Sequence, residues 1–226
     1  MTAAPRLGGM VPAELPVARA TGHLDALGRL SQEDRARLRR IPSVRNAITV
    51  VWLWAQTLLV LAAAVRLSHP VAWLLAFLMM GRTHAQFASL MHEAAHRLLF
   101  RHKGLNDFVG AWVLGYPVMT STQAYRRVHM AHHRREFGPD EPDIPLYANY
   151  PISRASMRRK LVRDATGRTG LRLLRNQMRG LRSPDPRVRG TLFRMLGVQA
   201  VLIALSVAAG HPWLWPLMWV LPHLTV

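Results

Sequence analysis

Two groups of histidine residues have the spacing that a bound metal ion requires. His92 and His96 are four residues apart, and on a helix this spacing places both imidazoles on one face, about one turn from each other. The second group contains His129, His132 and His133, of which His129 shares a helical face with either of the other two. The two groups offer five imidazole rings, so we predict that they bind metal.

The absence of cysteine restricts the chemistry of such a site. The sequence has no cysteine and 11 histidines, so disulfides, thiolate metal sites and cysteine nucleophiles are excluded, and the ligands must be nitrogen or oxygen atoms. A site with many imidazoles and few carboxylates suits iron, copper or zinc. The order of metal affinities does not choose among these three ions.

The first group also fits a different chemistry. The residues from His92 to His96 read HEAAH, which matches the HExxH motif of zinc metalloproteases. In that reaction class the two histidines bind zinc, and Glu93 would be the general base. The candidate third ligands are Glu136, Glu141 and Asp143. This hypothesis leaves the second group of histidines without a role.

The elements that must position these histidines are predicted to be membrane helices. Half of the residues are hydrophobic, the formal net charge is +18, and uncharged stretches alternate with arginine-rich ones. This segregation is typical of a membrane protein with basic cytoplasmic segments. We therefore predict an all-α integral membrane protein with about four transmembrane helices, of which the fourth is incomplete. These helices are expected at residues 46–65, at 71–91, from 195 onward, and from about 213 to 226.

The distribution of arginine and lysine predicts which segments face the cytoplasm. Residues 97–135 and 154–194 are rich in these cations, so both segments and the amino terminus are expected on the cytoplasmic side. Helical segments on this side would then carry both histidine groups and the metal site. Residues 1–45 form the predicted cytoplasmic amino-terminal segment, and residues 46–226 form the predicted membrane domain. The basic stretch 154–194 is expected to form an amphipathic helix on anionic headgroups, not an arm that binds nucleic acid.

Three further residues are candidates for supporting roles. His84 precedes His92 on the same helical face, where we expect a buried histidine bonded to a neighbouring helix; the alternative is that it lines a substrate tunnel. Asp140 and Asp143 are candidate acceptors that orient ligand histidines, and the alternative for them is a simple Pro-Asp turn.

The motifs around the histidines resemble the first two histidine boxes of the membrane fatty acid desaturase family. The resemblance lies in HEAAH at residues 92–96, in YRRVHMAHH at 125–133 and in GPDEPD at 138–143, and it includes the hydrophobic layout from Asn46 onward. It implies an oxidoreductase that reduces O2 with two external electrons and removes two hydrogens from a fatty acyl chain. It does not separate desaturases from the related membrane hydroxylases and ketolases.

The same resemblance implies a non-haem centre of two iron ions at the cytoplasmic face of the membrane. His92, His96, His129, His132 and His133 take the ligand roles by position, with O2 as co-substrate and with no catalytic or cofactor-binding residue beyond these ligands. The third histidine box of the family is absent from the sequence. Five histidines are too few to hold a pair of irons well, so we expect an incomplete chain that does not turn over.

The resemblance also implies the partners and the location. The substrate would be a lipid or an acyl thioester, and the protein would lie in a membrane, which we take to be a bacterial cell membrane. The sequence has no flavin, nicotinamide, haem or ferredoxin motif, so the electrons would come from a separate ferredoxin or cytochrome-type donor with its reductase. No nucleic-acid partner is expected.

Overall fold

The computed structural model describes residues 21–25, 28–135, 140–147 and 150–225. These residues form helices and turns, and apart from one isolated antiparallel bridge no strand pairing occurs among them. The expected all-α fold is therefore confirmed for the described part of the chain.

Three long helices and several shorter ones make up the described part of the chain. In chain order the α-helices of the described residues are α1 (Gln32–Leu38), α2 (Ser43–Leu67), α3 (Pro70–Ala95), α4 (Lys103–Phe108), α5 (Thr122–Arg135), α6 (Ile144–Tyr147), α7 (Arg154–Ala165), α8 (Arg168–Met178), α9 (Pro186–Ala208) and α10 (Leu221–Thr225). Short π-helical segments occur at Val109–Gly115 and Trp215–Val220, and 3-10 turns occur at Tyr116–Val118 and Arg179–Arg182. The first histidine pair lies at the end of α3, and the second group lies on α5.

The chain divides into two compact units. The smaller unit comprises residues 1–42 and 128–152, and its described helices are α1, the carboxyl-terminal part of α5, and α6. The larger unit comprises residues 43–127 and 153–226 and contains the remaining described helices. The boundary after residue 45, which the sequence suggests, stays a prediction.

Two helices in the described part of the chain are long and apolar enough to cross a membrane, so the expected number of four is wrong. One lies within Gln32–Leu67, where the long helix is α2, and the other is α9. α3 has 26 residues, but Arg82, His84 and Gln86 interrupt its apolar sequence. The expected fourth span is divided into Trp215–Val220 and the 5-residue helix α10. By length and hydropathy, two of the described helices are candidate membrane spans.

α3 is the central helix of the larger unit. It packs against α2, against the π-helical segment Val109–Gly115 and against α10. Phe87 of α3 is fully buried; its ring meets Trp54 of α2 edge-to-face with centroids 5.0 Å apart, and it lies 5.8 Å from the ring of Trp219. Burial of a phenylalanine side chain stabilises a fold by about 1.5–3 kcal/mol. This aromatic cluster therefore anchors the part of α3 that precedes the first histidine pair.

The segment Val109–Gly115 approaches the carboxyl end of α3 closely because Gly110 has no side chain. A Cβ atom at Gly110 would lie 2.6 Å from the Cβ atom of Ala94 and 3.3 Å from Cγ2 of Thr122. Thr122 fixes this approach, since its hydroxyl donates a hydrogen bond of 2.5 Å to the carbonyl oxygen of Gly110. The contact holds the end of α3 close to the start of α5.

The amphipathic helix expected within residues 154–194 is α8, but part of its apolar face is covered by protein. A Cβ atom at Gly170 would lie 2.8 Å from the backbone oxygen of Leu224 in α10. Gln177 donates a hydrogen bond of 2.7 Å to the carbonyl oxygen of Met119. Other segments of the larger unit therefore take up part of the face that was expected to rest on lipid headgroups.

Candidate metal centre

The first histidine pair lies at the carboxyl end of α3, in the larger unit. His92 is in the last turn of the helix and His96 is the residue that caps it, and the two rings meet edge-to-face with centroids 4.6 Å apart. Both residues are half-buried. A carboxylate oxygen of Glu93 lies 3.4 Å from Nδ1 of His92. The pair offers two neighbouring imidazoles, as the spacing of four residues predicts.

α3 ends in a left-handed turn at a residue that is not glycine. Arg97 has a φ of 62°. Its amide donates to the carbonyl oxygen of Ala94 (3.0 Å), and the amide of Leu98 donates to that of Glu93 (2.9 Å). This pair of bonds is the Schellman arrangement, in which glycine usually occupies the left-handed position. A residue other than glycine in this left-handed conformation destabilises the fold by about 1–2 kcal/mol, so further contacts must hold the turn.

Three polar residues from outside α3 supply such contacts, and we name them the α3 clamp: Asn106, Asp107 and Arg126. Arg126 donates from Nε to the carbonyl oxygen of Ala95 (2.7 Å) and from a terminal nitrogen to that of Ala94 (2.8 Å). The same nitrogen lies 2.5 Å from the carboxylate of Asp107. Asn106, which is fully buried, also donates to the carbonyl oxygen of Ala94 (2.8 Å). The clamp therefore satisfies carbonyl groups that a helix end leaves without intrahelical partners.

Asp107 is the anionic member of the clamp. Partial burial raises the pKa of its carboxyl group, but hydrogen bonds from Arg126 and Asn106 and the charges of Arg126 and Arg97 outweigh this effect. The pKa of Asp107 therefore lies below its ordinary value, and the carboxylate is ionised at neutral pH. The ionised Asp107 carboxylate stabilises the fold at pH values above the pKa that this group has in the unfolded chain. This stabilisation is lost as the pH falls through the lower pKa that the group has in the folded chain.

The second histidine group lies on the carboxyl-terminal part of α5, in the smaller unit. The Nε2 atoms of His129 and His133 are 3.1 Å apart. Two nitrogen ligands that lie about 2.1 Å from one ion, at about a right angle to each other, are separated by about 3 Å. These two rings therefore have the spacing of neighbouring ligands on one metal ion.

The third member of this group, His132, faces two carboxylates. Its Nδ1 lies 2.6 Å from Oε1 of Glu141 and 3.3 Å from Oδ2 of Asp143, and the Glu141 side chain is fully buried. Because a carboxylate only accepts hydrogen bonds, this contact places the proton on Nδ1 and leaves the Nε2 lone pair for a metal. One ligand atom from each of the three residues also lies within 4.8 Å of the others, so the three side chains are close enough to share an ion directly.

The predicted supporting residues of this region agree with the structure only in part. Asp143 contacts His132 as expected, whereas Asp140 is exposed and makes no hydrogen bond or ion pair within the described chain. Glu141, which the sequence suggested only as a zinc ligand, makes the shortest contact. Glu136 lies outside the described residues. The described candidates for a third zinc ligand are thus engaged with the second histidine group.

His84 is buried, as predicted, but its hydrogen bond stays within α3. Its Nδ1 lies 2.7 Å from the carbonyl oxygen of Met80, one turn earlier, and its Nε2 has no hydrogen-bond partner among the described residues. Its ring lies 4.9 Å from that of Trp219 and 5.3 Å from that of His223, measured between centroids. The expectation of a hydrogen bond to a neighbouring helix is therefore wrong.

An apolar cavity of about 580 Å³ lies in the larger unit. Its lining includes Leu174 of α8, Ile203 of α9, Trp215 and Trp219, with His223 as a polar group. Pockets for small molecules typically have volumes of about 300–1,000 Å³ and apolar walls with a few polar groups. The cavity therefore has the size and the lining for a hydrocarbon chain.

Sequence reasoning missed the α3 clamp. It assigned Arg126 to a basic cytoplasmic surface, but this side chain is only 18% exposed and is paired with Asp107. One signal was available, because Asp107 is the sole acidic residue between residues 97 and 135. A lone acid in a basic stretch indicates a specific partner among the surrounding cations.

Comparison with known protein families identifies the family to which the chain belongs. The sequence profile of the family described as fatty acid desaturase matches residues 67–226, a range that contains both groups. The chain therefore belongs to the fatty acid desaturase family, whose members are in general oxidoreductases. Comparisons with curated proteins and with solved structures give no match.

Proposed function

We propose that this chain binds non-haem iron through both histidine groups and that the reaction class of this iron site is the O2-dependent introduction of a double bond into a fatty acyl chain. The family match over residues 67–226 supports the reaction class. The observation that carries the metal site is the 3.1 Å separation of the Nε2 atoms of His129 and His133. The other proposed ligands are His92, His96 and His132.

The available donors fit iron. Imidazole is a good ligand for iron, thiolates are absent from the sequence, and Glu141 and Asp143 bring carboxylate oxygens next to His132. Bound iron would supply the oxidation of an unactivated C–H bond by O2, which acid–base groups cannot achieve because a methylene group has no acidic proton. The overall reaction consumes O2, two electrons and two protons, and it yields two water molecules and the unsaturated chain.

The protein's own residues would orient the ligands and hold the substrate. The carboxylate of Glu141 fixes the ring of His132 with the proton on Nδ1. The α3 clamp holds the end of the helix that carries His92 and His96. The apolar cavity offers a hydrocarbon chain a space lined by aliphatic and aromatic side chains.

The proposed substrate is an acyl lipid or an acyl thioester, and the proposed location is a membrane with the histidine groups on its cytoplasmic side. α2 and α9 are the candidate spans. A ferredoxin or cytochrome-type donor with its reductase would deliver the electrons. The net charge of +18 favours an acidic donor, whose docking would weaken as ionic strength rises.

Metal analysis of the purified protein tests this proposal. We expect protein produced in cells supplied with both iron and zinc, and purified in a mild detergent, to contain iron as its principal metal. Elemental analysis by mass spectrometry gives the content of both metals per chain. About one zinc per chain without iron would contradict the proposal and would favour the zinc protease hypothesis for HEAAH.

A further inference from the structure

We propose that the α3 clamp positions the first histidine pair for metal binding. The inference rests on the proposed function in one respect, because it takes His92 and His96 to be metal ligands. It assigns Asn106, Asp107 and Arg126 a task that goes beyond holding the fold together, namely to fix the angle and distance between two imidazole rings.

The carbonyl groups that the clamp holds belong to the histidine motif itself. Ala94 and Ala95 are the two residues between Glu93 and His96 in HEAAH. Arg126 binds both of their carbonyl oxygens, at 2.8 and 2.7 Å. One helical turn therefore contains both rings and both clamped oxygens, so a shift of these carbonyls would change how the two rings face each other.

This turn needs support because it is the last turn of the helix. Helix ends fray, and His96 already lies outside the regular helix as its cap. The next residue, Arg97, is in the left-handed conformation that disfavours residues other than glycine. A metal site requires its ligands within about 0.5 Å of the productive geometry, so a fraying turn would hold the pair poorly.

Arginine has the geometry for this task, and lysine does not. The planar guanidinium of Arg126 contacts two carbonyl oxygens and the Asp107 carboxylate at once, whereas an ammonium is a single point charge on a flexible stem. The Arg126 side chain is 18% exposed, so solvent competes little with these bonds. Asp107 also lies 3.4 Å from a terminal nitrogen of Arg97 and so connects Arg126 to the strained turn.

Asn106 ties the following chain to the same turn. Its side-chain oxygen accepts hydrogen bonds from the amides of Leu99 (3.1 Å) and Phe100 (3.3 Å), while its nitrogen donates to the carbonyl oxygen of Ala94 (2.8 Å). One side chain therefore holds the chain on both sides of His96.

Substitution of Arg126 separates a positioning role from a purely structural one. Arg126→Met keeps most of the side-chain length and removes all three polar contacts. Arg126→Lys keeps the positive charge but replaces the planar guanidinium by an ammonium group. Gln199→Leu is the matched control, because buried Gln199 likewise donates to two carbonyl oxygens, those of Tyr116 and Pro117, at 2.9 Å each. Circular dichroism and thermal unfolding in detergent select conditions in which all variants are folded.

The first measurement is hydrogen exchange of the metal-free protein. The amides of His96, Arg97 and Leu98 close the last turn of α3, and we expect them to exchange about tenfold faster or more in Arg126→Met than in the wild type. Gln199→Leu should leave these three amides unchanged. Unchanged exchange in Arg126→Met would overturn the proposal, whatever metal the protein binds.

The second measurement is titration with cobalt(II), followed by its visible absorption. We expect Arg126→Met to weaken cobalt binding about tenfold or more and to alter the spectrum, Arg126→Lys to do nearly the same, and Gln199→Leu to resemble the wild type. Equal affinities and spectra in Arg126→Met and Gln199→Leu would overturn the positioning role. A wild-type protein that binds neither cobalt nor iron would instead overturn the proposed function, and the exchange data would still show whether the clamp holds the turn.

Discussion

Replacement of Glu141 by leucine is expected to weaken iron binding about ten- to a hundredfold, which is the usual effect of losing a residue that orients a metal-ligating histidine. Glu141 is placed for this role because its side chain is fully buried and its carboxylate lies 2.6 Å from Nδ1 of His132. Without the carboxylate the ring can rotate and adopt the tautomer in which Nε2 carries the proton and cannot bind metal. Titration of the metal-free protein with iron(II) measures the affinity.

Two further variants determine how Glu141 acts. Glu141→Gln keeps an oxygen that accepts from Nδ1 of His132, so it should retain most of the affinity. A loss in Glu141→Gln as large as in Glu141→Leu would contradict the orienting role and would indicate that the carboxylate binds the ion itself. Asp140→Asn removes the same charge from an exposed neighbour and should leave the affinity unchanged.

Replacement of Gly110 by alanine is expected to destabilise the protein by about 1–3 kcal/mol, the usual cost of overpacking. The new methyl group would lie 2.6 Å from Cβ of Ala94 and 3.3 Å from Cγ2 of Thr122, well inside van der Waals contact. Cβ of Ala94 cannot move away without the α3 backbone, so the segment Val109–Gly115 or the end of α3 must shift. Thermal unfolding should show a midpoint lower by about 2–4 °C for each kcal/mol in a chain of this length.

Gly197 in α9 provides the matched control for this substitution. A Cβ atom at Gly197 would meet nothing within 4 Å, and alanine in a helix interior is more stable than glycine by about 0.5–1 kcal/mol. Gly197→Ala should therefore raise the unfolding midpoint while Gly110→Ala lowers it. In an Ala94→Gly background the cost of Gly110→Ala should shrink, because the overlapping methyl group is gone. Equal midpoints for Gly110→Ala and Gly197→Ala would contradict the close approach.

The sequence predicted that α2, α3 and α9 are helices, but it misplaced their ends. α2 spans Ser43–Leu67 and contains the predicted span 46–65. α9 begins at Pro186, well before the predicted start at residue 195, because the charged residues before residue 195 do not end a helix. The true start has its own signal, since Asp185 caps the helix and proline occupies its first position.

The number of spans was overestimated because absence of charge does not ensure a long regular helix. The run after residue 213 contains Pro216 and Pro222, and proline lacks the amide that a helix interior needs. The structure forms Trp215–Val220 and α10 there in place of one long helix. α3 fails as a candidate span for a different reason: the helix is long, but polar residues in its centre lower its hydropathy.

Only those contacts of the candidate site that join residues on one helix could be predicted from the sequence. The close approach of the His92 and His96 rings follows from a separation of four residues at the end of one helix. The partners of the histidines do not follow in this way: Glu141 contacts His132 from nine residues away, and Arg126 contacts Asp107 from 19 residues away. Such contacts depend on how the elements pack, which a local pattern does not encode.

The iron content of single-histidine variants tests most directly the proposal that the chain binds iron through both histidine groups. His96→Ala changes only the first group and His133→Ala only the second, whereas His211→Ala changes a histidine outside both. We predict that each of the first two variants loses most of the iron bound by the wild type and that His211→Ala retains it. Full retention of iron by His96→Ala or by His133→Ala would contradict iron binding through both groups.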